Sequence, residues 1–589
     1  MIAETAAEVA SAEPTNPRSR SVFGASFTAD EIGVVDLAVL LAATLWCLGF
    51  VPVLVNSSWS ARFIVLLAVA PLGLVTLARF LRARDRASTV GVAFVASACV
   101  SASLSPEPWL SFVGRWSGDK SVLVYGSAIA VWALGRRLSA HSVRILPVLV
   151  IVALVPSIVI GVLQITLDVS GGPLGTLDGR ASGLFGNPVF LGSALAGACA
   201  YAAVRTLSAS GLTWPSLFAT FTFGVGITGS RVAPVAVILA VATYVAVSRP
   251  GFVRIVTMCA AAAAGGIGSL ALGHWAGGAS SGSRLSGGGL TDRVQVWRYG
   301  VDAASDRPLF GWGLGNYAVA IQDRYSNEFA RDFASHDVLG WWSDPHNVPI
   351  MLLVSTGIIG FALATAFLAS SLRIADNAPL IVMFAATAVT WLLQPASMHS
   401  LPLTMLILGA ACQRLPALFS ADGRRVSIHD LVALAIGVLL AGYVATVDFN
   451  LSQSSDRSDA EGIEAAAERI WPDPFVADMV ARVYADRARV DPSFEDEALR
   501  WARQAAETET HRPLWWNRLA QQQLLFGRTE EARTSLERSL ELQPTNATAT
   551  QLMIYYSILV DDRDLEVAWR SRLCELEPDS CDATDGDLP

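Results

Sequence analysis

Residues 273–317 read GHWAGGASSGSRLSGGGLTDRVQVWRYGVDAASDRPLFGWGLGNY, and WWSDPHN follows at 341–347 before the chain turns apolar again at Val348. This is the longest predicted non-helical interval in an otherwise apolar chain. An interval of that length is either disordered or functional. Its Gly/Ser half, 277–289, reads as a flexible lead-in. The remainder is rich in Trp, Tyr and Phe and has a helical period from Asp292 to Ala304.

Outward from that stretch the chain is apolar. Its 589 residues are 53% hydrophobic and 16% charged, with mean hydropathy +0.46, which places it among membrane proteins. A span needs roughly 20 apolar residues. Candidates lie at 34–55, 61–80, 90–104, 121–134, 143–167, 188–203, 214–227, 233–247, 253–272, 348–372, 379–393, 402–418 and 431–447. The fold class expected is all-α, a polytopic membrane protein of about 12–13 transmembrane helices. The parts are a disordered cytoplasmic tail (1–32), helices 1–9 (33–273), a large extracytoplasmic loop (274–347), helices 10–13 (348–448), helical repeats (456–579) and a tail (580–589). The first thirty residues lack the central apolar run of a cleavable signal. Basic residues mark cytoplasmic loops. With the N-terminus inside, inside connections collect Arg79, Arg82, Arg84, Arg86, Arg136, Arg137, Arg144, Arg205, Arg249, Arg254, Arg373, Arg414, Arg424 and Arg425. Outside loops keep Arg62, Arg115, Arg180, Arg231 and the single lysine, Lys120. The central loop and the C-terminal region then lie outside.

The net charge of −9 hides an uneven distribution, because acidic residues gather after Ser452. That region is helical by period. Counting from Trp516, Leu519, Ala520, Ala532, Leu536, Ser539 and Pro544 fit a 34-residue tetratricopeptide template; 34 residues earlier stand Ala498, Ala502 and Ala505, and later Met553, Ala568 and Pro578 fit less well. About three degenerate repeats are expected, a surface for a protein or glycan partner. A plain helical-hairpin domain is the alternative. Five cysteines sit in spans as packing residues; Cys574 and Cys581 are either bridged or free.

Arg180, in LDGRASGLFGNPVFLG, and Arg231, in ITGSRVAP, run against the charge bias. Either they snorkel, or they bind something. Guanidinium groups fit phosphate oxygens with forked hydrogen bonds, so several aimed at one external pocket suit a diphosphate. The helix after Thr291 puts Arg293 and Trp297 on one face, with Arg298 a step round. The glycines of DRPLFGWGLGNY let backbone come close to something. In DPHN, His346 can take a proton from a hydroxyl nucleophile. Asp344 can orient it, and Asn347 can simply cap the next helix. His399 and Asp337 are weaker candidates for assistance; His336 and His274 read as solvated, and His511 as remote from the chemistry. There is no Cys/His zinc spacing, no phosphate-cradling GxxxxGK[ST] and no GxSxG. No metal, cofactor or nucleic acid is indicated.

Four pieces in order, RASGLFGNPVFLG (180–192), TGSRVAP (228–234), DRVQVWR through RPLFGWGLGNY (292–317) and DPHNVPIMLLVSTGIIG (344–360), resemble the O-antigen ligase and polymerase family of bacterial membrane proteins. The resemblance covers roughly 38–418 and implies a metal-independent, inverting glycosyl transfer at the outer face of the cytoplasmic membrane. The donor implied is a glycan on undecaprenyl diphosphate, and the acceptor a hydroxyl of a glycan, a lipid-linked glycan or a protein. It implies His346 as the base and Arg180, Arg231 and Arg293 as diphosphate ligands. Arg298 joins them as a neighbour, with Asp344, Asn347 and Trp297 as support. A polymerase of lipid-linked repeat units is the nearest alternative. A transporter of lipid-linked sugars would instead favour charges at mid-span depth, and a scaffold would need fewer spans.

Overall fold

The computed structural model describes residues 32–116, 120–169, 172, 174–177, 179–275, 289–329, 343–412 and 426–577. The chain opens with α1 (Val34–Leu48), α2 (Trp59–Arg82), α3 (Arg86–Ser103), a short α4 (Pro108–Val113), α5 (Val122–Arg137) and α6 (Ala140–Thr166). Then come α7 (Pro188–Ser208), α8 (Thr213–Ile227), α9 (Val232–Ser248) and α10 (Phe252–Trp275). The central segment holds α11 (Gly289–Asp306) and α12 (Tyr317–Ile321). Next are α13 (Val348–Ile374), α14 (Ala378–Thr390), α15 (Leu401–Ala411) and α16 (Ile428–Asp456). Among the described residues only an isolated bridge, Leu177 to Arg180, is not helix or loop. The fold is all-α and polytopic.

Every predicted span coincides with a helix, but not at equal length. Seven helices (α2, α3, α6, α7, α10, α13 and α16) are long and apolar enough to cross a membrane, while α1, α9, α14 and α15 are apolar and shorter. The shortening has local causes. α1 stops at Leu48, before Gly49 and Pro52, and α14 stops at Thr390, before Pro395; proline cannot continue a helix without loss of a hydrogen bond. Arg62, expected in a loop, belongs to the first turns of α2 and is fully buried.

Small residues let the helices approach. A Cβ at Gly409 of α15 would lie 2.0 Å from the Trp132 carbonyl oxygen of α5, the close crossing that glycine permits in membranes. α13 is broken at Gly357, where φ is +61°. The 308–313 backbone docks into the break. Trp312 and Gly313 donate to the carbonyls of Val354 and Ser355 at 2.9 and 2.8 Å, and Ile358 donates to Pro308 at 2.8 Å. The glycines of this motif therefore serve a close approach to α13.

The helix ends form two faces. On one, Arg137 grips Asp430 with two bonds of 2.7 and 2.9 Å, Arg79 joins it at 3.0 Å, and Arg136 meets Asp85 at 2.7 Å. Burial opposes the ionised Asp85, but the Arg136 and Ser88 bonds outweigh it and hold the carboxyl below its ordinary range. The other face carries α4, α11, α12 and the loops that bear Arg180 and His346.

α16 runs on into a C-terminal array of α17 (Ala460–Ala467), α18 (Pro474–Ala488), α19 (Glu495–Thr508), α20 (Pro513–Leu525), α21 (Thr529–Leu542), α22 (Ala547–Leu559) and α23 (Arg563–Leu576). Val447 and Leu451 of α16 share a core with Val480, Trp501 and Trp515. Ala498, Ala502, Ala505, Leu519, Ala520, Ala532, Leu536, Ser539 and Met553 are buried, whereas Ala568 is exposed, so the last hairpin departs from the template. Cys574 is disulfide-bonded; Cys581 and Pro578 lie outside the described residues, as do His336, Asp337 and the 1–31 tail.

Candidate active site

The loop 343–347 enters α13 through an Asn-Val-Pro start. Asn347 caps the helix, its Oδ1 accepting from Ile350 N at 3.0 Å, and proline stands in the first turn. Just before the cap, His346 adopts a left-handed conformation with φ +52°. A non-glycine residue there is strained and persists only where its surroundings impose it. Here Asp344 Oδ1 accepts from His346 N at 2.6 Å, and the Asp344 carbonyl lies 3.0 Å from His346 Nδ1. A carbonyl only accepts, so Nδ1 carries the proton and Nε2 keeps the lone pair. Burial pushes the imidazole below its ordinary value of 6.5; the Asp344 charge opposes this and the Arg293 charge reinforces it. The ring is thus neutral at neutral pH.

α11 brings the next residues. Trp297 Nε1 donates to the Pro345 carbonyl at 2.7 Å, and Arg293 Nη1 donates to the Leu393 carbonyl at 3.0 Å. The turn 391–394 is the hub. Its Leu392 carbonyl accepts from Asn347 Nδ2 at 3.0 Å, and its Trp391 carbonyl from Val348 N at 2.9 Å. Buried Gln394 donates to Ser230 Oγ at 3.2 Å and accepts from Ser193 Oγ. Ser230 precedes Arg231, which is exposed at the N-terminus of α9. The Arg180 stem runs over Gly229, where an added Cβ would lie 2.9 Å from Arg180 Cδ. Gln164 Oε1 fixes the Arg180 loop by accepting from Ser182 N and Gly183 N at 3.0 and 2.9 Å. A continuous set of contacts therefore links the segments bearing Arg180, Arg231, Arg293 and His346. Arg298 is exposed and stands outside it.

Asp344 supports His346 through its backbone carbonyl and one carboxylate oxygen. The other oxygen pairs with Lys120 Nζ at 3.0 Å. His399 is no assistant: it is fully buried, stacked on Phe190 at 4.6 Å, and its Nε2 meets Ser58 Oγ at 3.2 Å. Burial and the Arg62 charge push its pKa well below 6.5. Arg62 is held by the carbonyls of Gly49 and Ser58 at 2.6 and 2.9 Å and covers the Phe185 ring at 4.2 Å. His511 is nearer this face than expected. Its Nδ1 meets Glu107 Oε1 at 2.8 Å, and its carbonyl accepts from Gln322 at 2.8 Å. Sequence reasoning passed over Lys120, Gln394 and Arg62 as site residues. Lys120 had a signal, being the only lysine and on the arginine-poor side; Gln394, in WLLQPA, had only its polarity at a span end. Among the described residues, no three His, Cys, Asp or Glu side chains gather as a metal site.

Residues 216–365 match the O-Antigen ligase family model. The match runs from α8 through most of α13. It contains Arg231, Arg293, Trp297, Arg298 and His346, and leaves Arg180 and Gln394 outside. It supports a membrane glycan-processing function of the O-antigen ligase and polymerase type. No curated protein matches the chain.

Proposed function

We propose that the protein is a membrane glycosyltransferase that moves a glycan from an undecaprenyl-diphosphate carrier to a hydroxyl acceptor. The observation that carries this is the joining of the Arg180, Arg231 and Arg293 segments to the His346 loop around turn 391–394. The acceptor hydroxyl gives its proton to His346 Nε2 as its oxygen bonds to the anomeric carbon. The bond from that carbon to the diphosphate oxygen breaks, and the arginines meet the charge that builds on the leaving carrier. A single displacement inverts the anomeric carbon, and no step is assigned to a metal. The face opposite the site is rich in arginine, which supports placing the site on the outer side of the cytoplasmic membrane. The C-terminal hairpins, read as tetratricopeptide-like, would then be extracytoplasmic and offer a surface to a protein or glycan partner. With a carrier-linked glycan as acceptor, the same chemistry makes the protein a polymerase.

The test is transfer from a purified undecaprenyl-diphosphate glycan, in detergent with EDTA, to acceptors from the source membranes. Wild type should transfer, and His346→Ala and Arg293→Ala should not. The attachment point of the product separates ligase from polymerase. Carrier flipping without transfer would refute the reading.

A further inference from the structure

Lys120 and Asp344 form a buried ion pair next to the imidazole, with 9% and 4% of each residue exposed. The ammonium also lies 3.5 Å from the Ser343 carbonyl. It therefore holds both residues that open the His346 loop. Lys120 is itself fixed. Ser121 after it caps α5, its Oγ accepting from Val124 N at 3.3 Å. The Lys120 carbonyl also lies against Gly315, where an added Cβ would come within 3.0 Å. Gly315 follows directly on the 308–313 segment docked on α13, so the lysine is anchored to the same framework as the histidine.

Among the described residues, few charges face His346. Asp344 is on its own loop, Arg293 comes from α11, and Lys120 precedes α5. Tyr317 of α12 lies within the field of Asp344. Asp344 must stay close to His346, because its carboxylate and carbonyl impose the left-handed backbone and the tautomer. A carboxylate so near would by itself favour the imidazolium, which cannot act as a base. A cation on its far oxygen removes that conflict.

We propose that Lys120 is a positioning residue for the His346 base: it locks the Asp344 carboxylate in place and neutralises it, so that the imidazole is oriented without being charged. The proposal rests on His346 acting as the base, so its first readout is independent of transfer. The imidazole is titrated by NMR in the full chain, in detergent, with 13C-labelled histidine; His346→Gln identifies the resonance. Lys120→Met should raise the His346 pKa by about one unit, and Lys120→Arg should restore it. Asp344→Asn, which leaves the lysine charge unbalanced, should shift it down, and this variant carries the test if Lys120→Met does not fold. In the transfer assay the acid limb of Lys120→Met should move up with the titration, giving roughly tenfold less activity just below the wild-type limb. An unchanged titration in Lys120→Met, or in Asp344→Asn where that variant carries the test, overturns the proposal whatever the transfer assay gives. Transfer that persists in His346→Ala overturns the base assignment beneath it.

Discussion

Trp297→Phe is the most selective perturbation of the site. It keeps an aromatic ring on α11 and deletes one bond, Trp297 Nε1 to the Pro345 carbonyl at 2.7 Å. Pro345 lies between Asp344 and His346, so this bond sets the height of the imidazole above α11. A hydrogen bond of this kind contributes about 1 kcal/mol net, and a carbonyl left unsatisfied costs roughly 1–3 kcal/mol. The loop keeps its other ties, to Lys120, Leu392 and Trp391, so the lower half of that range applies. We expect kcat to fall about 5- to 30-fold, since 1.4 kcal/mol is a factor of ten. The donor KM should change little, because no arginine moves. The assay is steady-state transfer with the donor varied, alongside thermal unfolding in detergent, where the melting temperature should fall by no more than about 2–4 °C. A kcat within twofold of wild type would refute the reasoning, as would a raised KM at constant kcat, since the bond would then not position the base.

Transfer should remain active below pH 6.5, because burial and Arg293 hold the His346 pKa under that value and the neutral ring is the competent form. A pH–rate profile whose acid limb lies above 6.5 would contradict this. Gly357→Val places a Cβ where the Leu309 carbonyl oxygen would be 2.3 Å away, at φ +61°; both the break in α13 and the docked turn should be lost, with transfer abolished and the melting temperature lowered. Arg137→Met strips buried Asp430 of its two-bond ion pair and leaves it Arg79 and the Ser427 capping bonds. Breaking such a pair costs about 3–5 kcal/mol, so thermal unfolding should show a large drop, without a selective change in donor KM in the protein that remains folded.

Periodicity and composition determined much of this protein. Apolar runs of span length, separated by Arg-rich and Arg-poor loops, are local properties that the bilayer reads directly, and each became a helix at the expected place. Asn347 capping α13 and the shared face of Arg293 and Trp297 were legible for the same reason, since caps and i, i+4 pairs depend on near neighbours. The lengths of α1 and α14 depend on Gly49, Pro52 and Pro395, which an apolar-run reading alone passes over. What only the tertiary structure decided is which residues meet. Lys120 and Asp344 are far apart in the chain, and the Gln394 bonds reach α7 and the start of α9. No local pattern marks such pairs. They arise because helix packing brings distant loop ends to one face, where buried polar groups must find partners. The same packing buried His399 among aromatic rings and left His346 at the end of a strained loop, a distinction between two histidines that sequence composition does not carry.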